Sequence, residues 1–190
     1  THIFNTYIQG NNDAYVVSAL LPNILVDLCT LSTEKDKLFI SNINKLVVIE
    51  GVHDMFAKIK RLGHKIYIVT NCNRCVAAAI TSHINVIEYI DFIVSSSDCI
   101  NGKPHPEPYL KAMTKYNVTN DRVLIFEDSK SGILSAKSIQ PRCLIGLTTN
   151  YDSEMLQQLG ADLILNNYLE FDVDGVMNLV NAEISKLKIC

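Results

Sequence analysis

No apolar run in this 190-residue sequence approaches the ~20 residues a bilayer-spanning helix needs, so no membrane span is expected. There is no basic block, and the formal net charge is -3, so nucleic acid is not an expected partner. No signal-peptide pattern is visible. Internal repeats and low-complexity linkers are absent as well. The six cysteines (Cys29, Cys72, Cys75, Cys99, Cys143, Cys190) are scattered, several within apolar runs. They read as reduced thiols, and the expected location is cytoplasmic. Cys72-Asn73-Arg74-Cys75 is a lone CxxC. Without a second pair it does not make a zinc site, and a redox role is the minor alternative. What remains is 48% hydrophobic and 19% charged, a balance that suits one globular domain with a small appendage and a real core.

Residues 1 to about 45 read as helical and irregular. Asp13 to Leu21 has an apolar face that Pro22 closes. Short helical pieces are expected over 23–30 and 32–46, with Ser32 or Thr33 as cap ahead of Glu34. From Val47 the character changes. The pattern predicts a helix over 51–62 stopping at Gly63, a strand over 65–69, a helix over 73–82 and a strand over 92–94. It continues with a helix over 106–116 that has proline in its first turn, a strand from Val123, and a helix ending near Ile139. A strand over 142–147, a helix over 153–159, a strand over 161–165 and a helix over 173–186 complete it. Strands alternating with helices in this order imply a parallel sheet with helices on both faces.

The chain is organised around Val123 to Ile139. Val-Leu-Ile-Phe is the short apolar run of a strand buried on both faces, and it ends abruptly in Glu127-Asp128. Ser129, Ser131 and Gly132 follow, then Ile133, Leu134, Ala136 and Ile139 at helical spacing. Open parallel sheets place their chemistry at the carboxyl ends of strands. Adjacent carboxylates there repel unless a cation lies beside them. A hard ion held by one or two carboxylates, waters and a phosphate describes magnesium. An acidic helix start that favours the macrodipole is the plainer alternative. Two further strand ends carry polar residues. Thr70-Asn71 offers a hydroxyl and nearby N–H groups to a phosphate oxygen, although turn chemistry alone would produce the same pair. Gly102-Lys103-Pro104-His105-Pro106 stiffens a loop around a lysine, which beside a phosphate would neutralise developing charge.

Together these residues resemble the haloacid dehalogenase superfamily of phosphohydrolases, in its branch with a small helical cap. The likeness covers nearly the whole chain. Residues 66–71, Ile-Tyr-Ile-Val-Thr-Asn, resemble the second motif of that family, with Thr70 as the phosphate-binding hydroxyl and Asn71 beside it. Residues 102–109, Gly-Lys-Pro-His-Pro-Glu-Pro-Tyr, resemble the third, with Lys103 as the phosphate-site lysine, in wording close to members that act on small sugar and polyol phosphates. Phe126-Glu127-Asp128-Ser129 with Ser131-Gly132 resembles the fourth, with Glu127 and Asp128 holding Mg2+ and Ser129 near the phosphate. The resemblance implies a Rossmann-like three-layer α/β core over 46–190 and part of a helical cap over 1–45. Cap-loop residues Asn5, Tyr7, Gln9 and Asn11 would then be candidates for substrate contact.

The family's first motif, a strand ending in Asp-x-Asp, is absent from residues 1–190 and is expected ahead of Thr1. Its first Asp would form an aspartyl-phosphate and its second would act as general acid and base. Without that central strand, two neighbouring strands would keep unpaired backbone groups, which also makes association of copies a reasonable expectation. Phe171-Asp172-Val173-Asp174-Gly175 spells the motif, but Val173, Val176, Met177 and Val180 run at helical spacing, so Asp172 and Asp174 read as a helix start. The expected function is magnesium-dependent phosphate-ester hydrolysis of a small phosphorylated metabolite, with a phosphomutase as a variant. The rival is an inactive homologue serving as a binding or structural protein.

Overall fold

A computed structural model describes residues 3, 7, 8, 10–25 and 27–175. Five parallel strands alternate with helices from residue 52 onward. They are β1 (Tyr67–Val69), β2 (Phe92–Val94), β3 (Leu124–Glu127), β4 (Cys143–Leu147) and β5 (Leu163–Leu165). The helices are α1 (Asp13–Leu20), α2 (Leu28–Ser41), α3 (Val52–Arg61), α4 (Arg74–His83), α5 (Glu107–Lys115), α6 (Lys130–Ser138) and α7 (Ser153–Leu159). Each predicted α/β segment from 51 to 165 is found within a few residues of its expected bounds. Residues 173–175 are helical, as expected for the start of the last helix; the rest of that helix, with Cys190, lies outside the described residues.

The strands form two sheets. β1 pairs with β2, aligning Tyr67 with Phe92, and β3–β4–β5 form the other, aligning Leu124 with Cys143 and Ile145 with Leu163. Among the described residues, β1 and β3 each pair on one edge alone. A cavity of about 640 Å³ lies between them, lined by Ile68 and Val69 from one strand, Leu124 and Phe126 from the other, and Phe56 and Met113 above and below. Tyr67 Oη, also in this lining, is buried with no hydrogen-bond partner among the described residues.

Alternation along each strand builds a core on both faces. Ile145 and Leu147 face α3, joining Val52, Met55, Phe56 and Phe171. Ile125 and Leu144 face the other way, against Tyr109, Ile133, Ala136 and Leu156 of α5, α6 and α7. This two-sided burial is why the strands are continuous apolar runs. Asp172 and Asp174 stand at the start of the helical residues 173–175. Val173 is in the core beside α3, and Asp174 pairs with Lys58 at 2.7 Å.

The cap of α2 differs from expectation. Asp27, not Ser32 or Thr33, starts the helix, with its carboxylate accepting from the N–H groups of Cys29 and Thr30. Ser32 lies inside α2 and donates to Asp13 of α1 at 2.5 Å. The helix ends at Ser41, and a 3-10 turn over Ile43–Lys45 replaces its expected continuation. Asp36, buried on α2, accepts from Asn73 at the start of α4, which fastens α1–α2 to the rest of the molecule.

Candidate active site

The carboxyl ends of β1 and β3 bring Thr70, Asn71, Glu127 and Asp128 to the same rim, and the loop before α5 adds Lys103. That loop is held rigidly. Glu107 accepts from the N–H groups of Ile100 and Asn101, and its ion pair with Lys111 and these bonds bring its carboxyl down to about 2. Pro106 and Pro108 start α5, and Lys103 is buried.

Lys103 Nζ donates to Glu127 Oε1 at 2.5 Å and to the Val69 carbonyl at 3.0 Å. Tyr109 Oη donates to the same Glu127 oxygen at 2.5 Å, and Ser129 Oγ donates to Oε2 at 3.2 Å. Glu127 therefore has protein donors on both oxygens. Gly132 makes the arrangement possible: a Cβ there would fall 1.9 Å from Glu127 Oε2. An isolated glycine inside a helical pattern is the sequence signal for such an approach. Ser129 also caps α6, accepting from the Gly132 N–H at 3.1 Å.

Asp128 turns elsewhere. Its Oδ2 accepts from Thr149 Oγ1 at 2.8 Å and Asn150 Nδ2 at 2.6 Å, both just past the end of β4. Burial raises its carboxyl above the ordinary value; the charge of Glu127 adds to this, and the Thr149 bond opposes it. Burial pushes the Tyr168 phenol up to about 12, with the charges of Asp128 and Glu127 adding. Burial also drives Tyr109 well above its ordinary value, again with Glu127 adding. Two carboxylates, Glu127 and Asp128, thus share the rim with Lys103. Among the described residues no three His, Cys, Asp or Glu side chains form a ready-made cage. Magnesium needs no such cage, because it keeps waters and takes one or two carboxylates plus a phosphate. Asp128, whose carboxylate accepts from the neutral donors Thr149 and Asn150, fits that requirement, whereas Glu127 is taken up by Lys103 and Tyr109.

Thr70 Oγ1 accepts from the Cys72 N–H at 3.1 Å, which leaves its proton for another acceptor. Asn71 is a hub. Its Oδ1 accepts from the Lys103 N–H at 2.8 Å, while Nδ2 donates to the carbonyls of Lys103 at 2.9 Å and Gly10 at 3.0 Å. Ser131 Oγ donates to the same Gly10 carbonyl at 2.5 Å. The loop before α1 is thereby held over the rim. Gly10 has φ +71, and a Cβ on it would lie 2.8 Å from Ser129 and Ser131. Asn11 is in this loop and bonds the Tyr7 carbonyl at 3.2 Å. Asn5 and Gln9 lie outside the described residues. Thr149, Asn150 and Gly10 join the site from outside the sequence motifs, and Tyr109 and Ser131 stand within the motif segments 102–109 and 126–132 with no role assigned to them there. The strand-end position of Thr149-Asn150 was the available signal.

Residues 26–145 match the sequence profile of the haloacid dehalogenase-like hydrolases, well over half of the chain. The validoxylamine A 7'-phosphate phosphatase of Streptomyces hygroscopicus is 30% identical over 124 residues, covering 65% of this chain and 57% of that protein. The glycerol-1-phosphate phosphohydrolase 2 of Saccharomyces cerevisiae is 31% identical over 104 residues, covering 51% of this chain and 40% of that protein. The chain thus spans about half the length of these relatives. In fold it is similar to the crystal structure of β-phosphoglucomutase from Clostridium difficile, with a TM-score of 0.81 at 19% identity over 97% of this chain and 84% of the other.

Proposed function

The chain belongs to the haloacid dehalogenase-like hydrolases, and from that premise we propose that it serves a phosphohydrolase acting on a small sugar or polyol phosphate. The observation that carries the reading is the rim itself. Lys103 bonds both Glu127 of the Glu127-Asp128 pair and the Val69 carbonyl next to Thr70, where β1 and β3 end beside an apolar slot. The named relatives, a validoxylamine A 7'-phosphate phosphatase and a glycerol-1-phosphate phosphohydrolase, support the substrate class.

In this reading a strand ahead of Thr1 seats between β1 and β3 and brings an aspartate to the rim. Its carboxylate oxygen attacks phosphorus, the bond to the ester oxygen breaks, and the leaving alkoxide takes a proton from a neighbouring acid. Water then attacks the aspartyl-phosphate, releasing inorganic phosphate and restoring the carboxylate. Lys103 offers its third ammonium proton to a phosphate oxygen, and Thr70 donates its hydroxyl to another. Asn71 fixes the backbone of the lysine loop. Ser129 acts mainly by holding Glu127. Asp128 would hold Mg2+, which when bound would supply positive charge to offset that of the phosphate oxygens.

We assign residues 1–45 to a helical cap, which limits water access and selects the substrate, and 46–190 to the core. No helix among the described residues is long and apolar enough to cross a membrane. We assign the protein to the cytosol, a compartment in which scattered thiols stay reduced. The test is phosphate release from a panel of sugar and polyol phosphates by the protein that carries this chain. Lys103→Met should lower turnover at least about a hundredfold, the scale of losing one preorganised charge-stabilising group. Turnover unchanged in Lys103→Met would overturn the assignment.

A further inference from the structure

Tyr109 is a buried titratable group for which the phosphatase reading has no use, yet it touches the centre of the site. Its side chain is 6% exposed. Its hydroxyl shares Glu127 Oε1 with Lys103, each donor at 2.5 Å. The Lys103 ammonium also lies 5.6 Å from the centre of its ring. α5 delivers it there with little freedom, since Pro108 beside it is fully buried and Glu107 ties the preceding loop.

We propose that Tyr109 is a positioning residue for Lys103, acting through the oxygen they share on Glu127. The inference rests on the phosphatase reading of this rim. A buried carboxylate facing a lysine alone would hold the ammonium tightly and keep it from a substrate. A second, neutral donor on the same oxygen withdraws charge from it and weakens that hold. Tyr109 also fixes where the oxygen sits, and therefore where the ammonium sits. The lysine stays charged and placed, and is released enough to engage a phosphate. A phenylalanine would fill the same space without doing either.

The test measures inorganic phosphate binding by titration calorimetry in four proteins: wild type, Tyr109→Phe, Glu127→Gln, and the double variant. Tyr109→Phe should weaken phosphate binding about five- to tenfold, within the range of one hydrogen bond to a charged group. In the Glu127→Gln background the same substitution should change binding less than about twofold, because the oxygen through which it acts has lost its charge. If Glu127→Gln does not fold, Lys103→Met provides the second background, with the same expectation. A merely structural tyrosine would lower stability in both backgrounds and leave the phosphate Kd alone. A Tyr109→Phe Kd within twofold of wild type, or an equal loss in both backgrounds, would overturn the proposal. If wild-type protein binds no phosphate, the phosphatase reading falls and this role falls with it. That outcome is distinct from wild type binding normally while Tyr109→Phe is unaffected.

Discussion

Replacing Gly132 with alanine would ordinarily stabilise a helix. Gly132 lies in the first turns of α6, where alanine's propensity advantage is about 1 kcal/mol. Here the added Cβ would sit 1.9 Å from Oε2, 2.1 Å from Cδ and 2.4 Å from Oε1 of Glu127. No Cβ tolerates those separations, so the carboxylate must move. It is 6% exposed and bonded to Lys103, Tyr109 and Ser129, so moving it leaves a buried ammonium without its counter-ion. Breaking a buried pair costs about 3–5 kcal/mol. Subtracting the propensity gain leaves a net loss of about 2–4 kcal/mol. Urea unfolding measures this as a lower midpoint at unchanged slope. In a Glu127→Ala background the clash is gone, and Gly132→Ala should be neutral or stabilising by up to about 1 kcal/mol. A single Gly132→Ala variant as stable as wild type would refute the packing of Glu127 against α6.

Two further outcomes follow from groups outside the rim. Burial alone would raise Asp91, but Lys60, the Ile66 N–H and Lys65 outweigh it and bring the carboxyl down to about 2. A depressed carboxyl contributes stability above its unfolded value and loses it as pH falls through the folded one. Stability should therefore drop between pH about 4 and 2, and Asp91→Asn should remove about 1–2 kcal/mol at neutral pH and flatten that drop. Tyr67 Oη is buried without a partner among the described residues, so Tyr67→Phe in the 190-residue chain should be neutral or gain up to about 1–2 kcal/mol in urea unfolding; a clear loss would mean the hydroxyl is bonded.

The alternation of strands and helices was legible because parallel strands buried on both faces carry uninterrupted apolar runs. Phe92-Ile93-Val94 and Leu124-Ile125-Phe126 announce themselves. Thr70, Lys103, Glu127 and Asp128 were legible as strand-end and loop polar residues. Their pairing was not. Two adjacent acids read as partners for one cation, whereas the backbone turns Glu127 inward to Lys103 and Asp128 outward to Thr149 and Asn150. Tyr109 was hidden for the same reason, since its partner is 18 residues away and only the fold brings them together. The cap of α2 was misjudged because Asp27 and Ser32 have equal capping chemistry on paper. Contact with α1 decides between them, drawing Ser32 to Asp13 and leaving Asp27 to start the helix.

The most direct test of the central claim is magnesium-dependent phosphate release by the protein carrying this chain, compared between wild type and Asp128→Asn, with magnesium affinity measured by calorimetry on the same samples. Chelation should abolish turnover in wild type. Asp128→Asn should bind magnesium at least about tenfold more weakly and turn over correspondingly little. Equal magnesium affinity and equal turnover in the two proteins would contradict that claim.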